Sequence, residues 1–171
     1  GYHAGLAMTN ADGNIAIGHE ALGSNDLSDR NVAIGNGALQ TLNYDGSGYN
    51  VAVGYDAGVA MTTGVENTIM GGLAGDALTT GQRNTAIGTY ALGADTTGQY
   101  SVAIGRGALA AQNFTGGEVS YNVAVGYDAG NDITTGTMNT LVGTLTGDAL
   151  TTGSRNTAMG VSALSSEDTG S

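Results

Sequence analysis

The chain has 171 residues and a formal net charge of -11, and it contains 31 Gly but no Pro, Cys or Trp. An acidic surface of this kind repels phosphate backbones and anionic lipid headgroups, so we expect neither nucleic-acid binding nor membrane insertion by this segment. The absence of Cys excludes disulfide bonds and thiolate metal sites.

A five-residue motif that ends in Gly recurs along the whole chain, beginning with "NIAIG" at residues 14–18. Seven of the nine intervals between its glycines are 17 residues, and the other two are 19 and 21. A constant period of this length is typical of a solenoid, so we predict one repeat array over residues 1–171 with about ten rungs. The glycines are Gly1, Gly18, Gly35, Gly54, Gly71, Gly88, Gly105, Gly126, Gly143 and Gly160.

The motif predicts a short β-strand in every rung. Its second residue is β-branched, its third is mostly Ala, its fourth is a larger aliphatic residue or Met, and Gly closes the run. Side chains alternate across a strand, so the second and fourth residues share one face. Because both faces are apolar, we expect both to be buried, one inside the coil and one against another copy of the chain. The fourth-place residues predicted to pack in the core or between chains are Ile17, Ile34, Val53, Met70, Ile87, Ile104, Val125, Val142 and Met159.

Asn opens every complete motif except one, which begins with Ser101. Stacked Asn side chains hydrogen-bond to the layers above and below them in cross-β assemblies, so we interpret this column as a structural ladder. Its members are Asn14, Asn31, Asn50, Asn67, Asn84, Asn122, Asn139 and Asn156.

Two insertions interrupt the 17-residue period, near residues 40–49 and 110–121. Both carry aromatic side chains close to a carboxylate, a combination that suits sugar recognition, and loops on a rigid scaffold often hold binding sites. The alternative is that they are longer turns whose aromatic side chains cover the edge of the coil. The candidate binding residues are Tyr44, Asp45, Tyr49, Phe114, Glu118 and Tyr121.

The sequence offers little for catalysis or metal binding. His3 and His19 are its only imidazoles, and no Ser or Asp near them recurs in a triad-like arrangement. The Gly-rich nonapeptide of calcium-binding β-rolls is missing as well. We therefore expect no enzyme activity, no catalytic or metal-ligating residues and no cofactor.

The array as a whole, with "NTAIG" and "SVAIG" motifs and "TTG" turns, resembles two groups of repeats. These are the head repeats of trimeric autotransporter adhesins and the related repeats of bacteriophage tail-fibre proteins. The resemblance implies an all-β, left-handed parallel β-roll in which three chains pack side by side, with one strand face turned to the trimer axis. The 17-residue period is longer than that of most adhesin heads and closer to the fibre proteins. A triangular β-helix of hexapeptides is the alternative fold, but it needs three apolar anchors per coil and the motif supplies two.

By this resemblance we expect a structural segment of an extracellular trimeric fibre, on a phage tail or a bacterial surface, that supports attachment to a host. The alternative is an adhesive head whose insert loops themselves bind host glycans or proteins. The opening "GYHAG" matches the mid-repeat "GYDAG", and the last residues stop one step before another motif is due. We therefore expect an excerpt of a longer array that is able to stack end to end.

Overall fold

The chain forms a parallel β-solenoid, which confirms the predicted all-β fold class. The computed structural model describes residues 1–166 and 169, and these residues contain strands and turns but no helix. The strands in chain order are β1 Ile15–Ile17, β2 Ser28–Asp29, β3 Val32–Ile34, β4 Gly46–Ser47, β5 Val51–Val53, β6 Thr68–Met70, β7 Thr85–Ile87, β8 Val102–Ile104, β9 Val123–Val125, β10 Thr140–Val142 and β11 Thr157–Met159.

The repeated motif builds one parallel sheet of 9 strands, in the order β1-β3-β5-β6-β7-β8-β9-β10-β11. Equivalent residues of successive rungs pair directly, as Thr85 does with Val102 and Ile87 with Ile104. The sheet has one rung fewer than the predicted ten, because no motif residues precede Gly1. The short strands β2 and β4 form a second, two-stranded parallel sheet.

Each strand ends at a glycine that no other residue could replace without strain. Gly88 has a φ of 130°, in a region that L-residues with a side chain rarely enter. A Cβ on Gly88 would lie 2.5 Å from the carbonyl carbon and oxygen of Gly105 in the next rung. The close approach of successive backbones at this corner therefore requires the glycine column.

Three further places in each rung take the left-handed conformation, and most of them carry a side chain. In one repeat these are Arg83, Tyr90 and Leu92, with φ of 57°, 60° and 55°. Such values are uncommon outside glycine. The backbone N–H of each residue donates to a carbonyl of an adjacent rung, at 3.0, 3.3 and 3.0 Å respectively. These bonds between rungs offset the local cost of the turns.

The interior of the coil is filled by small and aliphatic residues. The third residue of the strand motif points inward, and it is buried in every strand of the sheet except β1, where Ala16 is partly buried. The fourth place after each glycine alternates between two solutions. Leu92 fills the space in its rung, whereas Gly75 leaves room for Leu78 three residues later. A Cβ on Gly75 would lie 2.9 Å from Leu78 Cδ1, so the two solutions exclude each other within a rung.

The second and fourth residues of the motif point away from the coil. Ile17 is 55% exposed and Met70 is 40% exposed, while Ile87 and Ile104 are half-buried. The expectation that both strand faces are buried is therefore met on only one face within a single chain. The reason is geometric, because one coil of 17 residues encloses a single interior and has no second layer to cover the outside of the sheet.

Candidate interaction face

The first insertion lengthens a turn and adds the strand pair β2 and β4. Tyr44 is half-buried, and its ring lies against Gly46, where a Cβ would be 3.3 Å from Tyr44 Cε1. The Ser28 hydroxyl donates to the Tyr44 carbonyl at 2.7 Å. Asp45 is exposed. Tyr44 thus covers the edge of the coil, as in the longer-turn interpretation of this insertion.

The second insertion sends its aromatic residue into the interior. Phe114 is 4% exposed, and its carbonyl accepts the hydroxyls of Thr96 and Thr97 at 2.8 Å each. The Phe114 ring is therefore not available to a ligand. Glu118 is exposed and accepts the N–H of Gly116 at 2.8 Å.

Tyr49 and Tyr121 are the two candidate binding residues that expose a ring. They occupy equivalent positions, directly before the Asn of their rungs, and are 56% and 53% exposed. Four rungs separate them, which corresponds to roughly 19 Å along the sheet. The six candidate residues therefore do not converge on one site.

The Asn column forms a continuous chain of buried hydrogen bonds between rungs. The side-chain oxygen of Asn67 accepts the N–H of Asn84 at 2.9 Å, and its Nδ2 donates to the Gly81 carbonyl at 2.9 Å. Its own N–H and Nδ2 donate to Asn50 Oδ1 at 3.0 and 3.1 Å. Each amide thus holds its rung to the one before and the one after.

The second insertion repairs the ladder where Ser101 interrupts it. Gln112 Oε1 accepts Asn122 Nδ2 at 2.8 Å, in place of the missing Asn oxygen, and Gln112 Nε2 donates to Ser101 Oγ at 2.7 Å. The same Nε2 donates to Asp95 Oδ2 at 2.6 Å. Asp95 Oδ1 also accepts the N–H of Phe114 at 3.0 Å. Sequence reasoning missed this network, because its members are separated by up to 27 residues and follow no motif.

Asp95 is a fully buried carboxyl group within this network. Burial raises its pKa, while the hydrogen bonds from Gln112 and from the backbone N–H groups of Phe114 and Gly98 act in the opposite direction. Three donated hydrogen bonds thus compensate only in part for the loss of water around this carboxylate.

One edge of the main sheet is lined by the residues directly before each Asn, which we call the entry edge. Arg83 Nε contacts Glu66 Oε2 at 2.8 Å, and its guanidinium lies 5.4 Å from the Tyr100 ring centroid. The Tyr100 ring packs in turn on Tyr121, with centroids 5.4 Å apart. Consecutive rungs therefore present a stack of planar groups. The members of the entry edge are Gly13, Arg30, Tyr49, Glu66, Arg83, Tyr100, Tyr121, Met138 and Arg155.

The opposite edge is lined by the two residues after each strand-ending glycine, which we call the exit edge. Arg106 stacks over Tyr127 at 5.4 Å and contacts Asp128 Oδ1 at 3.3 Å. Tyr55 is exposed and occupies the place equivalent to Tyr127, which is 47% exposed. The exit edge thus repeats the arrangement of stacked planar groups on the other side of the same sheet.

Exposed apolar side chains are concentrated on this one side of the rod. Within the described residues, every large exposed hydrophobic side chain except Leu6, Leu27 and Val119 belongs to the outward rows of the sheet or to one of its two edges. We call this surface, the outward second and fourth residues together with both edges, the interaction face. A continuous apolar stripe of this kind is typical of a surface that is covered in the functional state.

Other functional features were sought in the described part of the chain. It contains no cluster of three or more His, Cys, Asp or Glu residues arranged to hold a metal ion. None of its described segments is a helix with the length and apolar character needed to cross a membrane. Comparison with protein-family models, with curated proteins and with solved structures gives no match.

Proposed function

We propose that this chain is a structural segment of an extracellular homotrimeric fibre, on a phage tail or a bacterial surface, that supports attachment to a host. The observation that carries the proposal is the interaction face, which runs along all nine strands of the main sheet. The two outward rows contain Ile, Val, Thr and Met and no charged residue. Leaving such rows in water forgoes a stabilisation of about 25 cal/mol for each Å² of apolar surface.

The size of the face suits a stable protein interface. Nine strands about 4.8 Å apart give it a length of roughly 40 Å, and a strand with both edges is about 20 Å wide. The resulting area is on the order of 800 Å², which is what one partner buries in a standard complex. The face is therefore large enough to hold copies of the chain together.

The regular spacing of the face favours a second copy of the same chain as its partner. Equivalent side chains recur once per rung over the whole sheet. Only a surface with the same spacing can repeat a favourable contact at every rung, and an identical array has that spacing by construction. Three copies, rather than another number, are what the resemblance to adhesin-head and fibre repeats implies.

The fibre role explains features that a catalytic or ligand-binding role does not use. Backbone hydrogen bonds, the Asn ladder and the glycine column all join one rung to the next and build a straight, regular rod. The insertions contribute Phe114 to the interior instead of to a binding surface. We therefore favour the structural role over recognition of glycans by the insert loops.

Sedimentation equilibrium of the purified chain tests this function. We expect a species of three times the chain mass of 16.8 kDa at micromolar concentration. Ile87→Asp places a charge in the outward row and should give a folded monomer, as judged by circular dichroism. Thr63→Asp, in an exposed turn outside the interaction face, should leave the trimer intact. A wild-type chain that stays monomeric and folded at all concentrations overturns the proposal.

A further inference from the structure

We propose that the entry edge of one copy packs against the exit edge of the next, with all chains parallel and equivalent rungs at the same height. This inference rests on the self-association proposed above and adds the contacts that close the assembly. The partner is a second copy of this chain. The surface consists of the stacked aromatic and guanidinium groups on the two sides of the main sheet.

The arrangement follows from symmetry. When copies are related by rotation about an axis parallel to the rod, with their sheets facing that axis, the contact is heterologous and joins unlike edges. A rotation involves no translation along the axis, so each rung meets the same rung of its neighbour. An antiparallel pair, by contrast, brings the entry edge of one chain to the entry edge of the other.

The side chains on the two edges suit this pairing rung by rung. In the rung of β9 the rings of Tyr121 and Tyr127 meet, and the duplicated rung of β5 offers the equivalent tyrosine pair. In the rung of β8, Tyr100 of one copy meets Arg106 of the next. Contacts between aromatic rings contribute about 0.5–1.5 kcal/mol each beyond area burial, and cation–π contacts about 0.5–2 kcal/mol.

Charge also favours the contact between unlike edges. Three of the four arginines, Arg30, Arg83 and Arg155, lie on the entry edge. The exit edge instead carries the carboxylates Glu20, Asp56 and Asp128. Complementary charge on the two edges selects the parallel ring, and an antiparallel pair centred on the sheet would set Arg83 against its own copy.

The edge groups are already ordered before association. Arg83 is held between Glu66 and Tyr100, and Arg106 is held by Tyr127 and Asp128, all within one chain. Side chains that are fixed in advance lose less conformational entropy when they enter an interface. The stacks along each edge therefore prepare the surface that the neighbouring copy contacts.

Cross-linking through introduced cysteines tests the inference, because the natural chain has none. The double variant Tyr121→Cys/Tyr127→Cys is treated with a short bis-maleimide and analysed by denaturing electrophoresis. Six residues separate the two positions, which is up to about 20 Å along the strand, so a short linker cannot bridge them within one chain. We expect a covalent species of three chain masses.

Matched variants separate this inference from the proposed function. Each single variant alone should give no cross-linked species, since neither edge meets itself. The pair Thr63→Cys/Thr115→Cys, exposed in turns outside the interaction face, should also give none. A cross-linked dimer of Tyr121→Cys alone, or a sedimenting trimer whose double variant does not cross-link, overturns the inference and leaves the fibre standing. A monomer in sedimentation overturns both.

Discussion

The glycine that ends each strand is required for two independent reasons, the sign of its φ and the nearness of the next backbone. We expect Gly88→Ala to lower the free energy of unfolding by about 2–4 kcal/mol, because the added Cβ meets main-chain atoms that cannot move aside. Gly72→Ala is the control, since its Cβ would meet nothing within 4 Å. Urea denaturation of both variants checks this prediction, and equal stabilities would contradict it.

The buried Asn column makes a second prediction about a single side chain. Asn67→Ala removes the acceptor of the Asn84 N–H and the donor to the Gly81 carbonyl, and leaves both groups buried without those partners. Each such group costs about 1–3 kcal/mol, so we expect a total loss of about 2–4 kcal/mol. Asn36→Ala, at an exposed amide, should change the stability by less than about 0.5 kcal/mol in the same thermal or urea unfolding experiment.

Asp95 predicts a pH dependence with a definite sign. Its pKa is raised in the folded protein, so the native state holds its proton to a higher pH than the unfolded state does. The stability of the wild type relative to Asp95→Asn should therefore fall as the pH rises from about 4 through the raised pKa, and then level off. Urea denaturation over a pH series measures this difference, and parallel pH profiles of the two proteins would be inconsistent with it.

The rungs show why some features followed from the sequence and others did not. The strands and their parallel stacking could be predicted, because β-branched residues and a closing Gly recur at a fixed interval. Alternation showed that Thr85 and Ile87 share a face but not whether that face points inward, since all three strand residues are compatible with burial. The left-handed turns at Arg83 and Tyr90 gave no signal either, because glycine is the usual marker of such turns.

The candidate binding residues could be predicted only in part, for a similar reason. Aromatic residues in an insertion are compatible with both an exposed and a buried position. Phe114 is drawn inward by hydrogen bonds of its backbone to Asp95 and to two Thr hydroxyls, which the local sequence does not reveal. Tyr121 remains outside because its left-handed backbone directs it to the edge of the sheet beside Tyr100.

The two ways of filling the interior predict a compensating pair of substitutions. Gly75→Leu alone should destabilise the protein, because the new side chain meets Leu78. The double variant Gly75→Leu/Leu78→Asn copies the rung that contains Leu22 and Asn25, both buried in the natural chain. We expect the second change to recover at least about 1 kcal/mol, measured by a double-mutant cycle of urea unfolding. Additive losses would show that the two solutions are independent.

Folding and association should be linked in the assembled protein. If the interaction face is covered by other copies, mass action makes the apparent Tm rise with protein concentration. We expect this rise for the wild type in differential scanning calorimetry and its absence in Ile87→Asp. A wild-type Tm that is the same at every concentration would indicate that the outward rows contribute nothing to stability through association.

The direction of the hydrogen bonds between rungs determines how the rod responds to a pulling force. The strands lie across the rod, and bonds such as that from Thr85 N to the Ser101 carbonyl, at 2.8 Å, run along it. Tension on the two ends of one chain therefore loads the rungs one after another, and the coil opens like a zipper at low force. Copies bound side by side along the whole length resist this opening, because a rung can unwind only after it has detached from its neighbours.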